Sequence, residues 1–113
     1  DMHLKNFSLF KDPEKGYNLS PAYDMIAAQL VVEGVSEELA LTLNGKKKKI
    51  TRKDFEAAMA RFEIDQKAFD NIFLRFKKAI PKWHAFVENS FLTDEMKGAY
   101  QVMIGKKAKH IRL

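Results

Sequence analysis

Phe69, Ile72, Phe73, Phe76, Ile80, Trp83 and Val87 recur three or four residues apart. That spacing lays an apolar stripe along one face of a long helix, a period no strand shares. A stripe of this length must be covered by further helices, so a mainly α fold is predicted. Asp65 stands ahead of it as an N-cap. Pro81 falls inside it and has no N–H for the helical ladder, so the helix is expected to kink or split in two near Ala79–Ile80. All the Phe and Trp side chains of the stripe are expected to be core.

Shorter helices flank this one. Thr51 with Asp54 three residues on forms a capping box, and Phe55, Ala58, Met59 and Phe62 give the following helix its apolar face. Thr93 caps the last helix. Asp94 and Glu95 sit in its first turn, where the helix dipole favours anions, and Lys106, Lys107, Lys109 and Arg112 suit its C-terminal end. Its predicted inward residues are Met96, Ala99, Tyr100, Met103 and Ile104. Nine phenylalanines in 113 residues supply large units of apolar area for such a core.

The first fifty residues read differently. Residues 5–10 and 16–20 alternate apolar with polar around Pro13 and Gly16, which predicts a short hairpin. Ser20 as N-cap and Pro21 at the first helical position predict a helix carrying Tyr23, Met25, Ile26 and Leu30, ended by Gly34. Leu39, Leu41 and Leu43 alternate along one face before Asn44-Gly45, the strongest two-residue hairpin signal, and residues 46–50 are expected to return as a second strand. Left exposed, these leucines would suit a partner surface.

A chain of this size is one small domain or part of a larger one. The formal net charge is +5, and 16 of the 20 basic residues are lysines. This suits an anionic partner such as nucleotide phosphate, nucleic acid or an acidic protein, without choosing among them. There is no cysteine, which excludes disulfides and thiolate metal sites and suits a reducing, cytoplasmic setting. No apolar run reaches the ~20 residues of a membrane span, and no cleavable signal peptide is seen. His84 and His110 have no neighbour at metal-ligand spacing.

The chemistry concentrates in residues 1–24. Phosphoryl transfer by a protein kinase needs a carboxylate to orient and deprotonate the attacking hydroxyl. It also needs oxygen ligands to hold Mg²⁺ on the phosphates. Protein kinases take these from an Asp-x-x-x-x-Asn loop and a second Asp beyond a short hairpin. Asp1 and Asn6 have the first spacing, and Asp24 follows the predicted hairpin. By spacing alone, Asp1 and Asn6 also read as turn residues, and Asp24 as an exposed carboxylate in a first helical turn. Ser8 and Ser20 have no His/Asp relay nearby, and hairpin or capping roles suffice for them.

The string Asp1-x-His3-x-Lys5-Asn6-Phe7-Ser8, followed by Pro21-x-Tyr23-Asp24, resembles the HipA-like kinases, bacterial serine/threonine kinases that act as toxins in toxin–antitoxin systems. The resemblance implies a kinase C-lobe-like helical domain with one or two small β-hairpins. It would span residues 1–113, truncated at its N-terminus, with a catalytic and metal segment at 1–24 and a helical core at 51–113. It implies ATP and Mg²⁺ as cofactors, Asp1 as catalytic base, and Asn6 and Asp24 as metal ligands. Lys5 would stand near the transferred phosphate, so Lys5, Asn6 and Asp24 form the nucleotide side of the site; His3 would shape the loop. Tyr23-Asp24-Met25 stands where eukaryotic-type kinases have Asp-Phe-Gly, so no glycine hinge carries over. No glycine-rich phosphate loop and no strand lysine for the α/β-phosphates occur in these residues. The implied partners are therefore the protein's own N-lobe, a protein substrate bearing a Ser or Thr hydroxyl, and a DNA-binding, HipB-like antitoxin. On this view the 113 residues alone are expected to be inactive. The alternative is a helical module that binds DNA or an antitoxin without catalysis, with Lys46, Lys47, Lys48, Lys49, Arg52 and Lys53 as the contact cluster. The same cluster also reads as a solvated hairpin tip and helix start.

Overall fold

The computed structural model describes residues 3–113 and divides the chain into two compact units, 1–49 and 50–113. The fold is mainly α with one small antiparallel hairpin. No described helix is long and apolar enough to cross a membrane.

In the first unit a 3₁₀ turn, Leu4–Asn6, leads into β1 (Leu9–Asp12) and β2 (Gly16–Leu19). The strands pair antiparallel, with Leu9 opposite Leu19 and Asp12 opposite Gly16. The turn is held by Asp12, whose Oδ1 accepts from the backbone N–H of Glu14 and of Lys15, both at 2.8 Å. Gly16 closes it at φ +77°, a conformation that disfavours any residue with a Cβ. The hairpin is therefore shorter than predicted, because residues 5 and 6 are spent on the 3₁₀ turn.

The helix predicted from Pro21 is not there. Only α1, Ala28–Val31, is helical, and Asp24 lies in the left-handed region at φ +52°. One left-handed residue interrupts a right-handed helix, so the apolar spacing of residues 23–30 cannot propagate. Asn44-Gly45 does form a tight turn, both residues at positive φ, with Leu43 and Lys46 exchanging hydrogen bonds of 2.8 and 2.9 Å. The flanking strands do not extend beyond that single bridge. The N–H groups of Glu38 and Leu39 both turn to the Lys47 carbonyl, and Lys49 at φ +53° breaks the returning segment.

The second unit holds α2 (Arg52–Arg61), α3 (Gln66–Glu88) and α4 (Asp94–His110). The caps fall where the sequence places them. Asp54 Oδ2 accepts from Thr51 N–H at 2.9 Å and from Thr51 Oγ1 at 2.8 Å. Asp65 accepts from Ala68 N–H at 2.7 Å, and Thr93 from Met96 N–H at 3.3 Å. α3 is one continuous helix through Pro81, not two. The carbonyl that loses its donor belongs to Lys77, an exposed residue, so water can replace the missing bond.

Packing explains how α2 and α3 meet. Phe69 and Phe73 are buried, their rings 4.4 Å apart, and Phe55 meets Phe73 edge-on at 5.9 Å. The Arg52 guanidinium lies over both rings, 4.5 Å from Phe73 and 5.2 Å from Phe69. Its charge is answered by Glu56 at 3.1 Å and Asp70 at 3.4 Å. α4 folds back on α3, with Gln101 donating to Glu88 at 2.9 Å. The inward residues predicted for α4 are all half-buried.

The core is narrower than the stripe. Among the described residues, the buried apolar side chains are Ile50, Ala58, Phe69, Phe73 and Val87. Phe76 and Trp83, expected in the core, are exposed and pack edge-on against each other at 5.9 Å. Phe62, expected on the inner face of α2, falls at the helix end and is 71% exposed. A helix spirals past its neighbours, so a stripe along a 23-residue helix outruns what two shorter helices cover.

Candidate catalytic segment

Asn6 ends the 3₁₀ turn and is the more buried half of the candidate site, 4% exposed. Its carboxamide is held from both sides. Oδ1 accepts from His3 N–H at 2.9 Å, and Nδ2 donates to Asp24 Oδ2 at 2.6 Å. The second bond joins residues eighteen positions apart. A chain closes that separation only if something turns it, and the β1–β2 hairpin does so.

Three further hydrogen bonds fasten the base of the hairpin. Ser20 N–H donates to the Ser8 carbonyl at 2.8 Å, and the two hydroxyls meet at 3.0 Å. Tyr23 Oη donates to the Lys5 carbonyl at 3.2 Å. Residues 5–8 and 20–24 are thus laced by side chains beyond the end of the ladder. Sequence reasoning gave Ser20 to a helix cap and Tyr23 to a helix face, and both serve this seam instead. One signal was available: a residue preceding proline is biased to extended backbone, which favours Ser20 continuing the strand line.

Asn6 and Asp24 are in direct contact. Lys5 and His3 are exposed, on the turn that presents Asn6. Asp1 lies outside the described residues. Among the described residues no three His, Cys, Asp or Glu side chains gather where they could hold a metal. What does gather is a carboxamide beside a carboxylate, both hard oxygen donors of the kind Mg²⁺ takes. Asn6 Oδ1 has a second lone pair beside the one given to His3 N–H, and the bond to Asn6 uses only one of the two Asp24 oxygens.

The left-handed backbone at Asp24 is part of this arrangement. Aspartate tolerates that region better than most residues. It sits there with its carboxylate bonded to Asn6, at the position where a helix would otherwise run.

A model of the HipA-like C-terminal domain matches residues 1–84. The chain belongs to that family. The matched span takes in the 3₁₀ turn, the hairpin, Asp24, α2 and most of α3, and stops short of α4. HipA-like proteins are kinase-related. A comparison with curated proteins finds no match.

The basic cluster divides between the two units, with Lys46, Lys47, Lys48 and Lys49 in the first and Arg52 and Lys53 in the second. Several members are engaged within the chain. Lys47 pairs with Glu37 at 3.2 Å, Lys48 Nζ meets Ser36 Oγ at 2.6 Å, and Arg52 is held over Phe69 and Phe73.

Proposed function

We propose that this chain is the C-lobe part of a HipA-like serine/threonine kinase, and that residues 1–24 are its catalytic and metal-binding segment. The observation that carries the reading is the 2.6 Å contact between Asn6 and Asp24 across the hairpin. A kinase site needs those two oxygen-bearing side chains side by side, although eighteen residues separate them. In this reading Asn6 and Asp24 hold Mg²⁺ on the phosphates of ATP, and Lys5 neutralises the transferred phosphate. Asp1 accepts the proton of a Ser or Thr hydroxyl on the substrate protein. His3 fixes the Asn6 carboxamide through its backbone N–H. When bound, the metal supplies charge neutralisation on the phosphate oxygens.

Phosphoryl transfer is mostly positioning and charge neutralisation, so the nucleotide must also be gripped from its adenine and phosphate side. The 113 residues contain no glycine-rich phosphate loop, and this reading assigns that grip to an N-lobe outside them. A DNA-binding antitoxin is the partner that the family relationship suggests. The engagement of Arg52 within α2 and α3 weighs against its use as a DNA contact.

Phosphate transfer from labelled ATP to a protein substrate tests the reading. The N-lobe-containing protein should be active, residues 1–113 alone inactive, and Asp1→Asn or Asp24→Asn should lower the rate by about 100-fold or more. Full activity of the Asp1→Asn protein would overturn the assignment of the base. Full activity of Asp24→Asn would overturn that of the metal site.

A further inference from the structure

Asp24 stands in a stretch that no backbone ladder holds. Residues 21–27 belong to no helix or strand, and Asp24 itself is left-handed at φ +52°. Such a segment is placed by the side-chain bonds that reach it. The bond from Asn6 Nδ2 to Asp24 Oδ2, at 2.6 Å, is one of these. Metal binding would compete with it, because a divalent cation draws on the same two side chains. Two ligands tied only to each other lose that tie as they turn their oxygens to a cation.

A second tie lies one residue away on each side. Tyr23 Oη donates to the Lys5 carbonyl at 3.2 Å, again across eighteen positions, so 5–23 and 6–24 are neighbouring rungs. The Lys5 carbonyl belongs to the peptide unit that carries the Asn6 N–H, and Tyr23 directly precedes Asp24. That unit is planar, so gripping its oxygen restrains the backbone at the root of Asn6. Neither end of the rung is a candidate metal ligand, and a cation does not compete for it. Tyr23 is 42% exposed, so its ring is no part of the core. The remaining bonds of the seam join Ser8 and Ser20, two residues from Asn6 and four from Asp24.

We propose that Tyr23 is a positioning residue for the metal pair: its hydroxyl, bonded to the Lys5 carbonyl, keeps Asn6 and Asp24 side by side while a divalent cation is bound. The proposal rests on the kinase reading given above. Tyr23 touches neither metal nor phosphate in this role and acts through the residues beside it. Groups that orient metal ligands without touching the metal set its affinity strongly, because they fix the ligands before it arrives. Losing the hydroxyl therefore weakens the hold on the metal, and leaves the grip on adenine, assigned to the N-lobe, as it was.

Tyr23→Phe removes the hydroxyl and keeps the ring. The test uses the N-lobe-containing protein with a non-hydrolysable ATP analogue, and Mn²⁺ in place of Mg²⁺, its free fraction read by electron paramagnetic resonance. Tyr23→Phe should weaken Mn²⁺ binding about tenfold, with the unfolding midpoint and the affinity for metal-free nucleotide unchanged. In phosphate transfer it should raise the half-saturating Mg²⁺ concentration, and excess Mg²⁺ should restore the rate. Ser8→Ala cuts a bond of the same seam farther from the ligands, and should leave Mn²⁺ affinity within about twofold of the parent. Parental Mn²⁺ affinity in Tyr23→Phe would overturn the proposal. So would an equal loss in Ser8→Ala, which marks a general role of the seam, or a loss of rate that excess Mg²⁺ does not restore. Asp24→Asn separates this proposal from the reading beneath it. If Asp24→Asn abolishes Mn²⁺ binding and Tyr23→Phe does not change it, the positioning role alone fails. If Asp24→Asn binds Mn²⁺ as the parent does, the metal site itself is wrong and the proposal falls with it.

Discussion

Replacing Asp54 by alanine isolates the contribution of one buried carboxylate to the N-terminus of α2. Asp54 is 2% exposed, and its Oδ2 accepts from both the N–H and the hydroxyl of Thr51. Each hydrogen bond to a charged group is worth about 1.5–3 kcal/mol, and an N-terminal cap about 1 kcal/mol. These overlap, because both bonds end on one oxygen and the desolvation of the carboxylate is relieved when it is removed. The net loss should therefore be about 2–3 kcal/mol, or a fall in Tm on the order of 10 °C for a chain of this size. Urea unfolding followed by Trp83 emission and by circular dichroism measures it. Thr51→Ala should cost roughly 1 kcal/mol, because the backbone N–H of residue 51 still reaches Asp54. In the double variant the two losses should fall short of additive by about 1 kcal/mol, since they share a partner. If Asp54→Ala stays within about 0.5 kcal/mol of the parent, the capping argument for α2 is wrong.

Arg52→Lys keeps the charge but loses the flat guanidinium stacked on Phe69 and Phe73, and should cost about 1 kcal/mol in the same unfolding assay; no loss would mean the stacking contributes nothing. Pro81→Ala restores a donor inside α3 and should stabilise the chain by about 1–2 kcal/mol, less than the full helical cost of proline because the unfolded chain also gains freedom. A lower midpoint for Pro81→Ala would show that the packing around α3 depends on the proline ring.

The helices of residues 51–110 were legible because their signals are local. Thr51, Asp65 and Thr93 each announce a cap within three residues of their partner, and the stripe of α3 is read directly from its spacing. Which of those apolar residues would be covered was not legible, because burial at Phe76 or Trp83 depends on where neighbouring helices end. In residues 20–31 local signals misled. Ser20-Pro21 has the form of a helix start, but Asp24 is in the left-handed region and bonded to Asn6, which no window of ten residues could reveal. The two hairpin turns show the same division. Asn44-Gly45 dictated its own turn, while the strands around it depended on pairing energy that a run of four lysines does not provide. At the candidate site, the spacing of Asn6 and Asp24 suggested only that they could meet; the lacing by Ser8, Ser20 and Tyr23 could be seen only in three dimensions.

That lacing makes the length of the hairpin a free variable. Three rungs at its base, Ser8 to Ser20, Lys5 to Tyr23 and Asn6 to Asp24, bind the two sides before the strands begin. Residues added or removed at the tip, between Asp12 and Gly16, change the lever but leave the spacing of Asn6 and Asp24 as it is. Doubling such a loop costs only about 0.6 kcal/mol in closure entropy. The tip is thus a natural site of insertion, where a longer arm could be grown without moving the two side chains at its root.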